Sequence, residues 1–411
     1  MRRPLPLLFA VIAIAAIAAV ACSSDNGEGS GGAGGSPDAT EDNGGAVGAP
    51  DLPALSASTT AGWVATLIGP GTKPDLALDA SGSPAIVYLL EDIGEGFIAF
   101  AAAANGWSPD KFVEGYFYGP IGLAFDPQGR PNVAYHDHQA DNFDQALGDL
   151  TYALRDGSQW AIAAAEDDGH DGWDSTIAIG ADGVVRAAGV DPAQFNRTDG
   201  VEYYELRDGT WTITAIGSGP IQYEFNVSLA VSPDGLPAIS YYNDRDGDLV
   251  FASFDGASWT IETVVSDGDV GKFSSLAFDA AGQPHISFYD DLGGSSGRVL
   301  YAVRDGDAWT VEQVGTLDEV EQGMLGTRRN SSLALDAQGV PHVAFSDKSV
   351  IRYATRTDAG WEVEEIVTAG DRALGQLVSL ALDGAGTPHL SFFEVTSSAP
   401  LDGLIVYLTQ S

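Results

Sequence analysis

The chain has one cysteine, Cys22, and only two methionines in 411 residues. A single cysteine excludes an intramolecular disulfide framework and the multi-cysteine zinc modules. Basic residues are scarce too. Nineteen Lys and Arg stand against 58 Asp and Glu, a formal net charge of −39. So acidic a surface repels phosphate backbones and anionic headgroups, which excludes nucleic acid as a partner. It suits an exported soluble protein, cationic ligands or salt adaptation equally well. The chain also lacks an apolar run of spanning length: the longest, residues 5–21, has 17 residues where a spanning helix needs about 20.

That short run follows Arg2 and Arg3 and ends in small residues, the form of a cleaved export signal. Ala19-Val20-Ala21-Cys22 resembles a bacterial lipobox, with Ala19 where leucine is usual. The resemblance implies that Cys22 is diacylated and becomes the new N-terminus, a stable membrane anchor. Residues 22–58, rich in Gly, Ser, Asp and Glu, cannot bury enough apolar surface to fold and read as a tether. The expected layout is a signal over 1–21, an anchored tether over 22–58 and a folded region over 59–411. The expected location is the outer membrane or cell surface, with the lipid as the only membrane contact.

Internal repetition dominates the rest. SSLAFDAAGQPHISFYDD from Ser274 returns as SSLALDAQGVPHVAFSDK from Ser331, VSLALDGAGTPHLSFFEV from Val378 and IGLAFDPQGRPNVAYHDH from Ile121. Weaker copies begin near Asp75, Ser175 and Val227. The repeat glycine falls at Gly82, Gly129, Gly183, Gly235, Gly282, Gly339 and Gly386. Seven repeats of about 50 residues predict an all-β, seven-bladed β-propeller of four-stranded blades. Each first strand carries one alanine (Ala77, Ala124, Ala178, Ala230, Ala277, Ala334, Ala381), as crowding near the axis requires. An Asp-x-x-Gly turn leads to a proline-headed second strand, and a second tight turn to a Trp-headed fourth. The tryptophans are Trp63, Trp107, Trp160, Trp211, Trp259, Trp309 and Trp361. The last repeat stops after its third strand, so the segment from Trp63 is expected to supply the missing fourth.

SSLAFDAAGQPHISFYDD with LYAVRDGDAWTVEQV resembles the repeats of exported prokaryotic propellers, broadly the sialidase-like, BNR-type group. The resemblance implies fold more than activity. Asp305 and Gly306 are adjacent, which departs from the Asp-box of that group, and only Arg328 and Arg329 are evident loop-face arginines.

The two tight turns share one face of such a propeller, and the variable connections share the other, where binding residues are expected. Eight residues after the repeat glycine come Asp137, Asp191, Asn243, Asp290, Asp347 and Glu394, with Asp244 beside Asn243. They read as strand-end caps or as an acidic ring holding a cation or basic ligand. His285, His342 and His389 share one repeat position and read as structural. His136, His138, His170 and Trp173 do not repeat. With Asp168 and Asp171 they form a candidate metal or ligand site. Carboxylates alone suit Ca²⁺, and added imidazoles suit a transition metal. Trp173 is expected to stack on a sugar face.

No nucleophile and base stand out together. The sequence therefore favours a surface lipoprotein that binds or scaffolds a glycan or protein. A sialidase-like glycan hydrolase and a purely structural envelope protein are the alternatives.

Overall fold

The structure, a computed structural model, describes residue 55 and residues 57–411 apart from 91–95, 118, 139–147, 166–171, 192–199, 218–226, 293–295, 318–330, 348, 370–373, 375–376 and 399–400. The described chain is an all-β propeller, its regular structure entirely strands apart from the short 3₁₀ turn Ala103–Asn105. No helix among the described residues is long and apolar enough to cross a membrane.

The fifth repeat shows the unit. Strands Val270–Phe278, Pro284–Asp291, Gly297–Asp305 and Ala308–Leu317 form an antiparallel meander. Asp279 makes its first turn. Its carbonyl accepts from Gly282 N–H at 3.0 Å, and its carboxylate accepts from Ala281 and Gln283 N–H at 2.9 and 2.8 Å. Gly282 has φ +80°, a left-handed conformation that penalises side chains. Asp79, Asp126, Asp336 and Asp383 bond their turns in the same way.

Hydrogen bonding groups the strands into six sheets, which differs from the seven separate blades expected. Repeats one and two share an eight-stranded sheet. The fourth strand of repeat one, Asp110–Phe117, runs on at its end to pair Tyr116 with His138 and Phe117 with Asp137. The sixth repeat gains a fifth strand, Ser58–Thr59, on the outer edge of Gly360–Thr368. In the last sheet Trp63–Pro70 pairs antiparallel with Leu401–Gln410, so the N-terminal segment does complete the final repeat.

The first strands pack side by side. Thr72–Leu78 meets Gly122–Phe125, then follow Trp173–Ile179, Ser228–Val231, Val270–Phe278, Ser331–Leu335 and Ser379–Leu382, which returns to Thr72–Leu78. The core described consists of seven apolar clusters between neighbouring repeats, and a first-strand alanine packs against each. A tryptophan closes each junction against a third-strand aromatic of the preceding repeat. Trp160 packs on Phe100, Trp211 on Tyr152, Trp259 on Tyr203, Trp309 on Phe251 and Trp361 on Tyr301. Trp63 meets Tyr353 and Trp107 meets Tyr407 across the seam. Trp107 departs from expectation in one respect. It sits at φ 64° after the 3₁₀ turn, and its strand begins only at Asp110.

Candidate functional site

Asp137 ends the second strand of repeat two on the variable-loop face, directly opposite Asp149 on Gly148–Asp156. In repeat five the same two positions hold Asp290 and Arg298, which form an ion pair. Repeat two thus puts two like charges where repeat five puts opposite ones, an arrangement that costs stability across a sheet. Asp149 is buried and Asp137 half-buried. Burial, and then the Asp149 charge, push the Asp137 carboxyl above the ordinary aspartate range. A raised carboxyl pKa is the direction that general acid chemistry calls for.

The surroundings of Asp137 come from repeat one. Its Oδ1 lies 3.7 Å from where a side chain on Gly115 would begin. Tyr135, two residues earlier on the same strand face, packs edge-on to Phe117 at 5.7 Å. Burial and the Asp137 charge push the Tyr135 hydroxyl well above the usual tyrosine range.

His136 points to the opposite side, since side chains alternate along a strand. It is 1 % exposed, and its ring lies 4.6 Å from Trp173. Gly148 makes room for it, because a Cβ there would come within 2.5 Å of the imidazole. Trp173 is itself 7 % exposed and begins the first strand of repeat three. These are corrections to the sequence reading. His136 and Trp173 are an interior pair, and a buried indole cannot offer its face to a sugar. His138 lies on the same strand, paired with Tyr116 and Gly148. His170, Asp168 and Asp171 lie outside the described residues. Among the described residues no three His, Cys, Asp or Glu side chains gather so as to hold a metal ion.

Of the expected acidic ring, Asn243, Asp290, Asp347 and Glu394 act as hydrogen-bond acceptors or ion-pair partners. Asp290 is held by Arg298, and Asp347 is held by Arg352 while accepting from Val350 N–H at 3.1 Å. Asn243 caps Arg245 N–H at 3.1 Å, and Asp244 is half-buried in that turn. Glu394 is fully buried and accepts from Ala57 N–H at 3.4 Å. Asp191 pairs with Gly200 at its strand end.

Sequence reasoning missed a second polar cluster on this face. Lys272 Nζ lies 2.7 Å from Asp269 and 3.2 Å from Asp291, above the Tyr242 ring at 5.3 Å. Tyr242 donates to Asp269 at 2.7 Å. Burial, with the Asp269 bond next, raises its hydroxyl well above the tyrosine range. The sequence also gave no sign of the bulges at the starts of three first strands, where Lys73, Asp174 and Phe273 take φ between 51° and 54°. Bulges re-aim side chains and favour functional rims. The missed Asp149 did leave a signal, an acid at the position that holds arginine in repeat five.

No protein-family model matches the chain, and no curated protein matches its sequence. Solved structures do match in shape. An ulvan lyase of polysaccharide lyase family PL25 aligns with TM-score 0.59 at 15 % identity, over 85 % of this chain and 96 % of that one. The polysaccharide lyase Uly1 aligns with TM-score 0.52 at 10 % identity, over 84 % and 91 %. An α-L-arabinofuranosidase from Fusarium graminearum aligns with TM-score 0.50 at 12 % identity, over 72 % and 92 %. At these identities the likeness establishes a shared fold, and the chain takes its place among the all-β propellers.

Proposed function

We propose that the protein is an exported glycan-active propeller that cleaves a neutral polysaccharide on its variable-loop face, with Asp137 as proton donor. The observation that carries this is the Asp137–Asp149 pair, a like-charge arrangement at a position that repeat five fills with an ion pair. Asp137 would protonate the glycosidic oxygen as its bond to the sugar breaks. A water molecule would bond to the anomeric carbon in its place, and the proton that water sheds would restore Asp137. Asp149, more deeply buried, would keep that proton in place through its charge. The shape-related lyases and arabinofuranosidase support a glycan as the ligand class. This favours the hydrolase alternative over binding or scaffolding alone.

Charge argues for a neutral glycan. Among the described residues on this face, Lys272, Arg298 and Arg352 are each paired with carboxylates, and the chain carries −39 overall. A polyanion would meet repulsion here. For the scaffold, we propose a ring of seven blades. The circuit of seven first strands and the seven tryptophan–aromatic junctions support it, with the eight-stranded sheet as two blades joined at Tyr116 and Phe117. For location, we propose diacylation at Cys22. Cys22→Ser should release the folded protein from membranes, and continued membrane fractionation would overturn the anchor.

The test of activity incubates the protein with arabinan, xylan and glucomannan beside ulvan and pectin, measuring new reducing ends and unsaturated uronate. Neutral glycans should be cleaved without unsaturated product, and Asp137→Asn should lower kcat roughly 10²-fold or more. Equal turnover by Asp137→Asn would overturn the assignment.

A further inference from the structure

The turn face, opposite Asp137, carries its own departure from the repeat. At three junctions an acid three residues after one repeat's tryptophan bonds the next repeat's tryptophan and arginine. Asp110 accepts from Trp160 Nε1 at 3.1 Å and pairs with Arg155 at 3.0 Å. Glu262 does the same for Trp309 and Arg304, at 3.2 and 3.1 Å. Glu312 accepts from Trp361 at 3.1 Å and from Arg356 at 2.7 Å. These clamps tie each tryptophan N–H and arginine to an acid across the junction, and the clamped junction of repeats one and two still keeps a crevice of about 360 Å³ that Arg155 lines.

Between repeats three and four both partners are exchanged. Thr214 stands at the acid's position and Phe254 at the arginine's, with Trp259 between them. A crevice of about 250 Å³ lies here, with Tyr203, Glu205, Arg207 and Thr212 also on its walls. Trp259 is half-buried, 5.1 Å from Tyr203 and 5.5 Å from Phe254.

The floor is charged but neutralised. Arg186, 1 % exposed, takes the place that His285, His342 and His389 hold in later repeats. It donates to Asp182 at 2.6 Å and to Gly235 O at 3.1 Å, with Nε 3.6 Å from Glu205. Glu205 also accepts from Tyr203 at 2.8 Å and from Arg207. Burial opposes ionisation of Glu205, but the bonds from Arg207 and Tyr203 hold its carboxyl below the ordinary range. Both guanidinium groups are therefore committed, and an anion would gain little here. Aromatic faces, two threonine hydroxyls and a fixed carboxylate suit the apolar face and hydroxyl rim of a neutral sugar ring.

We propose that this crevice is a second carbohydrate subsite, holding one neutral sugar unit on the face away from the reaction. It rests on the glycan reading for the class of ligand and on nothing else in it. The test titrates arabinobiose and cellobiose into the full-length protein and follows the tryptophan fluorescence change that Trp259→Phe removes. Installing the clamp with Thr214→Glu/Phe254→Arg should tie Trp259 to an ion pair, remove the Phe254 ring and weaken this binding at least tenfold, with an unchanged or higher melting temperature. Thr214→Val keeps the packing and should cost about fivefold. Unchanged affinity in both variants would overturn the subsite. Asp137→Asn should leave this binding intact. Binding that persists in a protein without turnover would sink the loop-face reading alone, and turnover without this binding would sink the subsite alone.

Discussion

Ser379 donates a hydrogen bond to Asp75 Oδ1 at 2.9 Å, where the last repeat meets the first. The same hydroxyl accepts from Leu76 N–H at 3.2 Å, and Asp75 Oδ2 accepts from Leu123 N–H at 2.9 Å. Ser228, Ser275 and Ser332 repeat the device, each accepting from the N–H of Leu276, Leu333 and Leu380 in the following first strand, at 3.0 to 3.1 Å. These side chains link the first strands of neighbouring repeats near the axis.

Asp75 serves two junctions at once, so Asp75→Ala should destabilise the fold by roughly 2–3 kcal/mol. Ser228→Ala, which serves one, should cost about 1 kcal/mol. Urea melts decide it, and equal costs would remove the special standing of the seam.

Deleting residues 59–69 should unfold or strongly destabilise the whole ring, while deleting 23–54 should not. The first deletion removes most of the strand beside Leu401–Gln410 and the buried Trp63, whose loss alone costs about 3–5 kcal/mol. Equal melting temperatures for the two truncations would contradict the closure.

Acid should weaken repeats five to seven. His285, His342 and His389 each share a 2.5 Å hydrogen bond with Tyr301, Tyr353 or Tyr407, and each lies 3.7 to 3.8 Å from a turn aspartate. Burial lowers each imidazole below 6.5, although Asp279, Asp336 and Asp383 pull the other way. The unfolded chain then binds more protons, so stability is complete above about pH 6.5 and falls as pH drops below it. His389→Asn should flatten the fall in melting temperature between pH 7 and 5. Repeat two already holds Asn132 at this position, bonded to Tyr152 at 2.5 Å. An unaltered slope would show that the histidines do not carry the effect.

Asp137→Asn should raise stability at neutral pH even as it removes turnover. A carboxyl raised by burial and by Asp149 lowers stability progressively as pH rises from its unfolded value through its folded one, and asparagine removes that cost. A gain of about 0.5–1 kcal/mol is expected, and it should vanish near pH 3, where both forms are neutral. A destabilised variant at pH 7 would mean that Asp137 is a structural acceptor.

Much of this architecture was legible because propeller repeats impose residue types at fixed places. The alanine of each first strand, the turn aspartates and the tryptophans follow from crowding, capping and junction packing, and the incomplete last repeat announced the pairing of Trp63–Pro70. The candidate site was legible only along a single strand. Period-two alternation separates His136 from Asp137, but it does not reveal what lies across the register, so Asp149 stayed hidden. His136 and Trp173 read as site residues because neither repeats, yet the two rings pack on each other in the interior. The pairing of Tyr116 with His138 left no pattern either, since it joins two strand ends that the repeat treats as free.

The short strand Ser58–Thr59 gives the molecule a mechanical property. It pairs antiparallel with Val367 and Thr368 and is reinforced by Thr60, whose N–H bonds Ile366 O at 3.1 Å and whose hydroxyl bonds Glu365 O at 2.6 Å. A pull on the N-terminal segment is therefore taken up first by the sixth repeat's outer edge. Only when that edge has yielded does tension reach Trp63–Pro70, whose bonds to Leu401–Gln410 must then give way. Two sets of bonds in series therefore stand between a pull at Ser58 and the opening of the last sheet, and the shorter set yields first.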